Sequence, residues 1–77
     1  MRHRLLDTVV LVHDLPEHRL KAGDLGAVVE LHGTDTLEVE FVTGDGTTQA
    51  LVTLRESEVR AVEADEVMAV RRLRPTG

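Results

Sequence analysis

From Leu37 to Leu54 the chain alternates. Leu37, Val39 and Phe41 fall on one side and Glu38 and Glu40 on the other. This is the period of two that a half-buried strand imposes, because successive side chains leave opposite faces. The run halts at Thr43-Gly44-Asp45-Gly46-Thr47 and resumes at Gln49. Asp-Gly between two such runs marks a hairpin, since glycine readily takes the positive φ that the turn requires. Residues 37–54 therefore read as a β-hairpin with Phe41 on its inner face and two glutamates on its outer face. An apolar hairpin face cannot stand alone in water, so the remaining chain must cover it.

The other segments supply that cover as further short strands. Thr8–Val12 is apolar and β-branched, and Leu25–Leu31 has Val28 and Val29 at its centre. In Gln49–Leu54, Ala50, Val52 and Leu54 compete with Leu51 for the inward side. Val59–Val62 and Val67–Val70 are shorter fifth and sixth strands. Gly23 and Gly26 bracket Asp24 and suit a turn followed by a bulge or a close backbone approach. His13–Ala22, containing Pro16, is a long connection for a small β domain. Arg55-Glu56-Ser57-Glu58 suits a single 3-10 turn between strands. A helix over 56–70 is the alternative, with Val59, Val62, Val67 and Val70 at i, i+3, i+8 and i+11. Short strands at about ten-residue spacing argue for an all-β sandwich or barrel of five or six antiparallel strands. At 77 residues a barrel is the more economical, because closing a sheet removes its edges. One domain spans 1–77, with its core over about 5–62 and a C-terminal extension over 63–77.

Composition narrows the chemistry. There is no Cys, so disulfides, thiolate metal sites and thiol nucleophiles are excluded. Phe41 is the single aromatic residue. Polyproline grooves and single-stranded nucleic acid platforms are both built from aromatic rings, and neither can be built here. The apolar run Val9–Val12 is far shorter than the ~20 residues of a membrane span. The start, Met1 to Asp7, lacks the apolar stretch of a secretion signal, and a Cys-free chain fits a reducing cytoplasm. Net charge is −5, but residues 5–70 hold four cations against all fourteen acids, a net −10, with five arginines outside them. Such a body repels phosphate backbones and attracts basic surfaces.

Leu6-Asp7-Thr8-Val9-Val10-Leu11, Asp14-Leu15-Pro16-Glu17, Leu20-Lys21, Gly23-Asp24, Gly26 and Val28-Val29-Glu30 form a recognisable series. Glu38-Val39-Glu40-Phe41, a glycine-containing turn, and Leu51, Thr53 and Leu54 continue it. Over about residues 5–62 the chain resembles the small bacterial proteins of the domain of unknown function 4926 family. The resemblance implies an SH3-like barrel whose first loop carries Pro16. It implies no catalytic residue, and a gene neighbourhood that suggests an antitoxin-like or other partner-binding role. Val67–Gly77 lies beyond it.

The residues offer little chemistry of their own. His3, His13, His18 and His32 invite a metal reading, and His13 and His18 lie near Asp14 and Glu17. Their spacing matches no zinc template, and all four read as solvated surface histidines. Ser57, the single serine, lacks the strand–turn–helix setting of a nucleophile elbow. Glu38 and Glu40 lie side by side on one strand face, where glycosidic chemistry needs two acids across a cleft. Asp45 reads as a turn residue. No enzyme activity, cofactor or metal is expected. The leading reading is a barrel that binds a partner protein, a basic one such as a toxin nuclease. Glu38 and Glu40 on the strand face, and Asp14, Glu17 and His18 in the long loop, are its candidate contacts. A nucleic-acid-associated barrel using the basic termini and an accessory subunit of an enzyme are the alternatives. Oligomeric state is open.

Overall fold

The computed structural model describes residues 1–73. Five antiparallel strands form one sheet in the order β4-β3-β2-β1-β5. They are β1 (Thr8–Leu11), β2 (Leu25–His32), β3 (Thr36–Val42), β4 (Thr48–Arg55) and β5 (Val59–Ala61). Two 3-10 turns, η1 (Pro16–His18) and η2 (Glu56–Glu58), complete the elements. The all-β reading therefore holds, and the Arg55–Glu58 segment does carry a 3-10 turn. The ladder stays open between β4 and β5, which η2 joins in sequence.

The inner face follows from alternation. Leu37, Val39 and Phe41 of β3 pack with Ala50, Val52 and Leu54 of β4, Val9 and Leu11 of β1, Val28, Leu20 and Val59 in one buried cluster. Both edge strands contribute to it, so the open sheet wraps around a single core. Leu51 loses the competition on β4 and stands 56% exposed on the outer side. The hairpin forms as expected, with Gly46 at φ 85°. Asp45 accepts hydrogen bonds from the Thr47 N–H at 3.0 Å and the Thr43 hydroxyl at 2.5 Å. These bonds, the Thr43 one first, push its carboxyl down to about 2.

Gly26 provides the close approach that its position suggested. A Cβ there would overlap Val39 Cγ1 and lie 2.9 Å from Phe41 Cε1. Only a residue without a side chain lets β2 pass over the β3 side chains at this point. Two residues on, the β2–β3 register shifts between Val28 and Glu30. Val28 stays buried, while Val29 becomes partly exposed.

The connection between β1 and β2 is not a bare loop. Leu15 and Leu20 exchange backbone hydrogen bonds of 2.9 and 3.1 Å around η1, and Leu20 is set into the core. Arg19 takes a left-handed conformation, φ 60°, to close this turn.

Two expectations are corrected, and one alternative falls away. Val67–Val70 forms no sixth strand, and no helix covers 56–70; residues 62–73 carry neither element. The reason is the turn after β5. Glu66 accepts two hydrogen bonds from the Arg60 guanidinium, at 2.7 and 2.6 Å, and one from the Glu63 N–H. That turn directs the chain across β1, where Val62 and Met68 share a hollow with the outward-facing Val10. His3 is buried, 8% exposed, and not a surface histidine. The N-terminal segment lies against the sheet, with the Leu6 N–H bonded to the Val28 carbonyl at 2.6 Å and Arg2 paired to Glu56.

Candidate functional site

The outer face of β2–β3–β4 is laid out in cross-strand rows. Ala27, Glu40 and Leu51 form one row; Glu30, Glu38 and Thr53 the next; His32, Thr36 and Arg55 the third. Glu30 and Glu38 are thus directly paired carboxylates, an arrangement that is unfavourable in a sheet unless a cation stands beside it. His32 sits beside both, its Nε2 at 3.2 Å from Glu38 Oε2 and 3.9 Å from Glu30 Oε2. Hydrogen bonding to His32 holds the Glu38 carboxyl below its ordinary value. Glu40 accepts a hydrogen bond from the Thr48 hydroxyl at 2.8 Å. Val42 and Leu51 stand more than half exposed on the same two strands.

Glu30, His32 and Glu38 each offer one ligand atom, all within 4.8 Å of one another. Two carboxylates and an imidazole are a zinc-type donor set. It is a different grouping from the His13 and His18 one that the sequence raised. Two residues apart, Glu30 and His32 share a strand face, and the short turn at Gly33 brings Glu38 opposite. That spacing was the signal available in the sequence.

The predicted contacts separate into two sets. Glu38 and Glu40 share the outer face, half-buried. Asp14, Glu17 and His18 lie on the β1–β2 connection, where Asp14 accepts the Ala22 N–H at 2.9 Å. Glu17 is exposed on η1, and the His18 carbonyl accepts a hydrogen bond from the Gln49 side chain at 3.1 Å. Among the described residues no hydrogen bond or ion pair joins the two sets.

A third feature was not read from the sequence. Ala69, Val70, Arg71 and Leu73 line an open cavity together with Leu20 and Asp24 of the β1–β2 connection and Gly44 of the β3–β4 turn. Arg71 is paired with Asp24 there, Nε to Oδ1 at 2.8 Å and Nη2 to Oδ2 at 2.5 Å. Burial works to raise the Asp24 carboxyl, but the Arg71 guanidinium and the Lys21 N–H outweigh it and hold it below its ordinary value.

The family model for the domain of unknown function DUF4926 matches residues 5–61, most of the chain. This chain belongs to the DUF4926 family. Comparison with curated proteins and with solved structures finds no match. The DUF4926 match contains all five strands and both candidate sets, and it ends at Ala61, the last residue of β5. Arg71 and its neighbours lie beyond it.

Within the DUF4926 segment, His13 ties the β1–β2 connection to η2. Its Nε2 lies 2.9 Å from Glu58 Oε2, and its Nδ1 3.0 Å from the Asp14 carbonyl. The Glu58 hydrogen bond, then the Asp14 one, raise the His13 pKa above 6.5. The folded state thus favours the imidazolium. Its contribution is complete below pH 6.5 and fades as pH climbs through the raised value. An NMR titration should place the His13 midpoint above 6.5, and Glu58→Gln should bring it back toward that value. A midpoint unmoved by the substitution would contradict the pairing.

Proposed function

We propose that this chain is a non-catalytic domain that docks on a basic protein through the outer face of β2–β3, as an antitoxin does on a basic toxin. The observation that carries this reading is the Glu30–Glu38 pair. Two carboxylates meet there in direct cross-strand register with His32 beside them, and Glu40 extends the acidic strip along β3. A concentration of carboxylates on one strand face is what a basic partner would be drawn to. Val42 and Leu51 beside the strip supply apolar area, and interfaces combine an apolar centre with a polar rim. Asp14, Glu17 and His18 form a second acidic patch for a large partner. The chain's lack of Cys suits such a role in the cytoplasm.

The nucleic-acid reading draws on the basic termini. It is weakened because Arg71 and Arg2 are already paired with Asp24 and Glu56. An accessory role in an enzyme complex would use the same acidic face and differs only in the partner's identity. Capture from the native host tests the reading. A basic protein should be recovered at low salt and lost at high salt, because screening weakens contacts between exposed charges. Glu38→Lys with Glu40→Lys should abolish recovery at low salt while leaving the fold intact. Recovery that ignores the charge reversal would refute it, as would salt-dependent binding of RNA or DNA near physiological salt.

A further inference from the structure

Ala69, Val70, Arg71 and Leu73 form one side of an open cavity of about 500 Å³, whose other lining includes Leu20, Leu25 and Phe41. It lies at the inner end of the sheet, apart from the Glu38–Glu40 face. The segment on that side belongs to this chain but not to its matched family domain, which ends at residue 61.

The domain holds the segment through side-chain contacts. Residues 69–72 are exposed, Val70 almost fully, yet Arg71 turns its guanidinium to Asp24, and Leu73 is half-buried at the cavity. The polar anchors come from the domain. Asp24 takes the Arg71 guanidinium through two parallel bonds, the arrangement that gives arginine–carboxylate recognition its specificity. The Arg19 carbonyl accepts a further bond from Arg71 Nη2 at 3.0 Å. The Arg19 guanidinium donates to the Leu73 carbonyl at 2.5 Å.

We propose that the Asp24–Arg19 edge of this cavity is a binding site for a peptide bearing arginine with an apolar residue two positions on, and that residues 71–73 hold it in cis. The C-terminal segment is then an internal competitor. A tethered ligand acts at an effective concentration of about millimolar for a short linker, so an outside peptide enters only when the segment is displaced. Arginine in the incoming peptide complements Asp24, and its main chain replaces the Leu73 carbonyl on Arg19.

A fluorescently labelled peptide of residues 67–73, titrated into the full chain, tests this. Arg71→Glu sets a carboxylate against Asp24 and releases the segment. That variant should bind the peptide at least about tenfold more tightly than the unaltered chain does. Adding Asp24→Asn, which keeps an acceptor for the Lys21 N–H, should reverse the gain. A peptide carrying Arg71→Glu should bind none of the three proteins. Should Arg71→Glu disturb the fold, Arg71→Ala frees the segment without adding a charge and should show the same gain. Equal binding by the released and unaltered chains overturns the proposal, and so does a gain that survives Asp24→Asn. Glu38→Lys with Glu40→Lys should leave peptide binding unchanged, so the failure of either site is seen apart from the other.

Discussion

Phe41→Ala should cost about 3–5 kcal/mol, the range for removing a buried phenylalanine and leaving a cavity. Phe41 is 2% exposed and lies in the core with side chains of β1, β3 and β4. Its neighbours are aliphatic, and no second ring can shift into the space. A native domain has only about 5–15 kcal/mol to lose, and a chain this small sits toward the low end. The variant should therefore be largely unfolded or close to its transition at room temperature. Denaturant titration followed by far-ultraviolet circular dichroism reads the change. A cost below roughly 0.5 kcal/mol, typical of a surface position, would mean that the β3 faces are reversed.

Gly26→Ala should be the more informative loss, because it adds atoms. The new Cβ would overlap Val39 Cγ1, and Val39 is fully buried and branched at Cβ. The ring of Phe41, 2.9 Å away, is itself a core side chain, buried in the same cluster. Neither neighbour is the loose end of a long side chain, so β2 must lift from β3. Overpacking of this kind costs typically about 1–3 kcal/mol. Gly44→Ala is the matched control. Nothing lies within 4 Å of a Cβ there and its φ is not positive. It should be neutral or gain up to about 1 kcal/mol from a less flexible unfolded chain. Equal effects at the two glycines would refute the close approach of β2 to β3.

Much of this fold was legible because alternation and turn chemistry are local. Leu37, Val39 and Phe41 declared their face, Asp45-Gly46 declared the turn, and Gly26 sat where a side chain had no room. What escaped the sequence depends on register or on contacts distant along the chain. The shift between Val28 and Glu30 decides that Val28, not Val29, meets Val39, and nothing in Val28-Val29-Glu30 announces it. Val67–Val70 has the composition of a strand, yet the Arg60–Glu66 pair turns the chain away from any ladder. The burial of His3 needs the N-terminal segment to lie on the sheet. Asp24 and Arg71 were visible as residues, but only the path of the C-terminal segment makes them partners.

The placement of β1 between β2 and β5 carries a kinetic consequence. Strands β2, β3 and β4 follow one another and can zip through short hairpins. β1 gains its second neighbour only when Val9 meets Ala61, across nearly the whole domain. Closing so long a loop is entropically costly before the contacts repay it. Three residues, Val59–Ala61, thus cover one flank of β1 at the highest loop-closure cost in the sheet, and without them that flank would present unpaired backbone groups to any extended chain nearby.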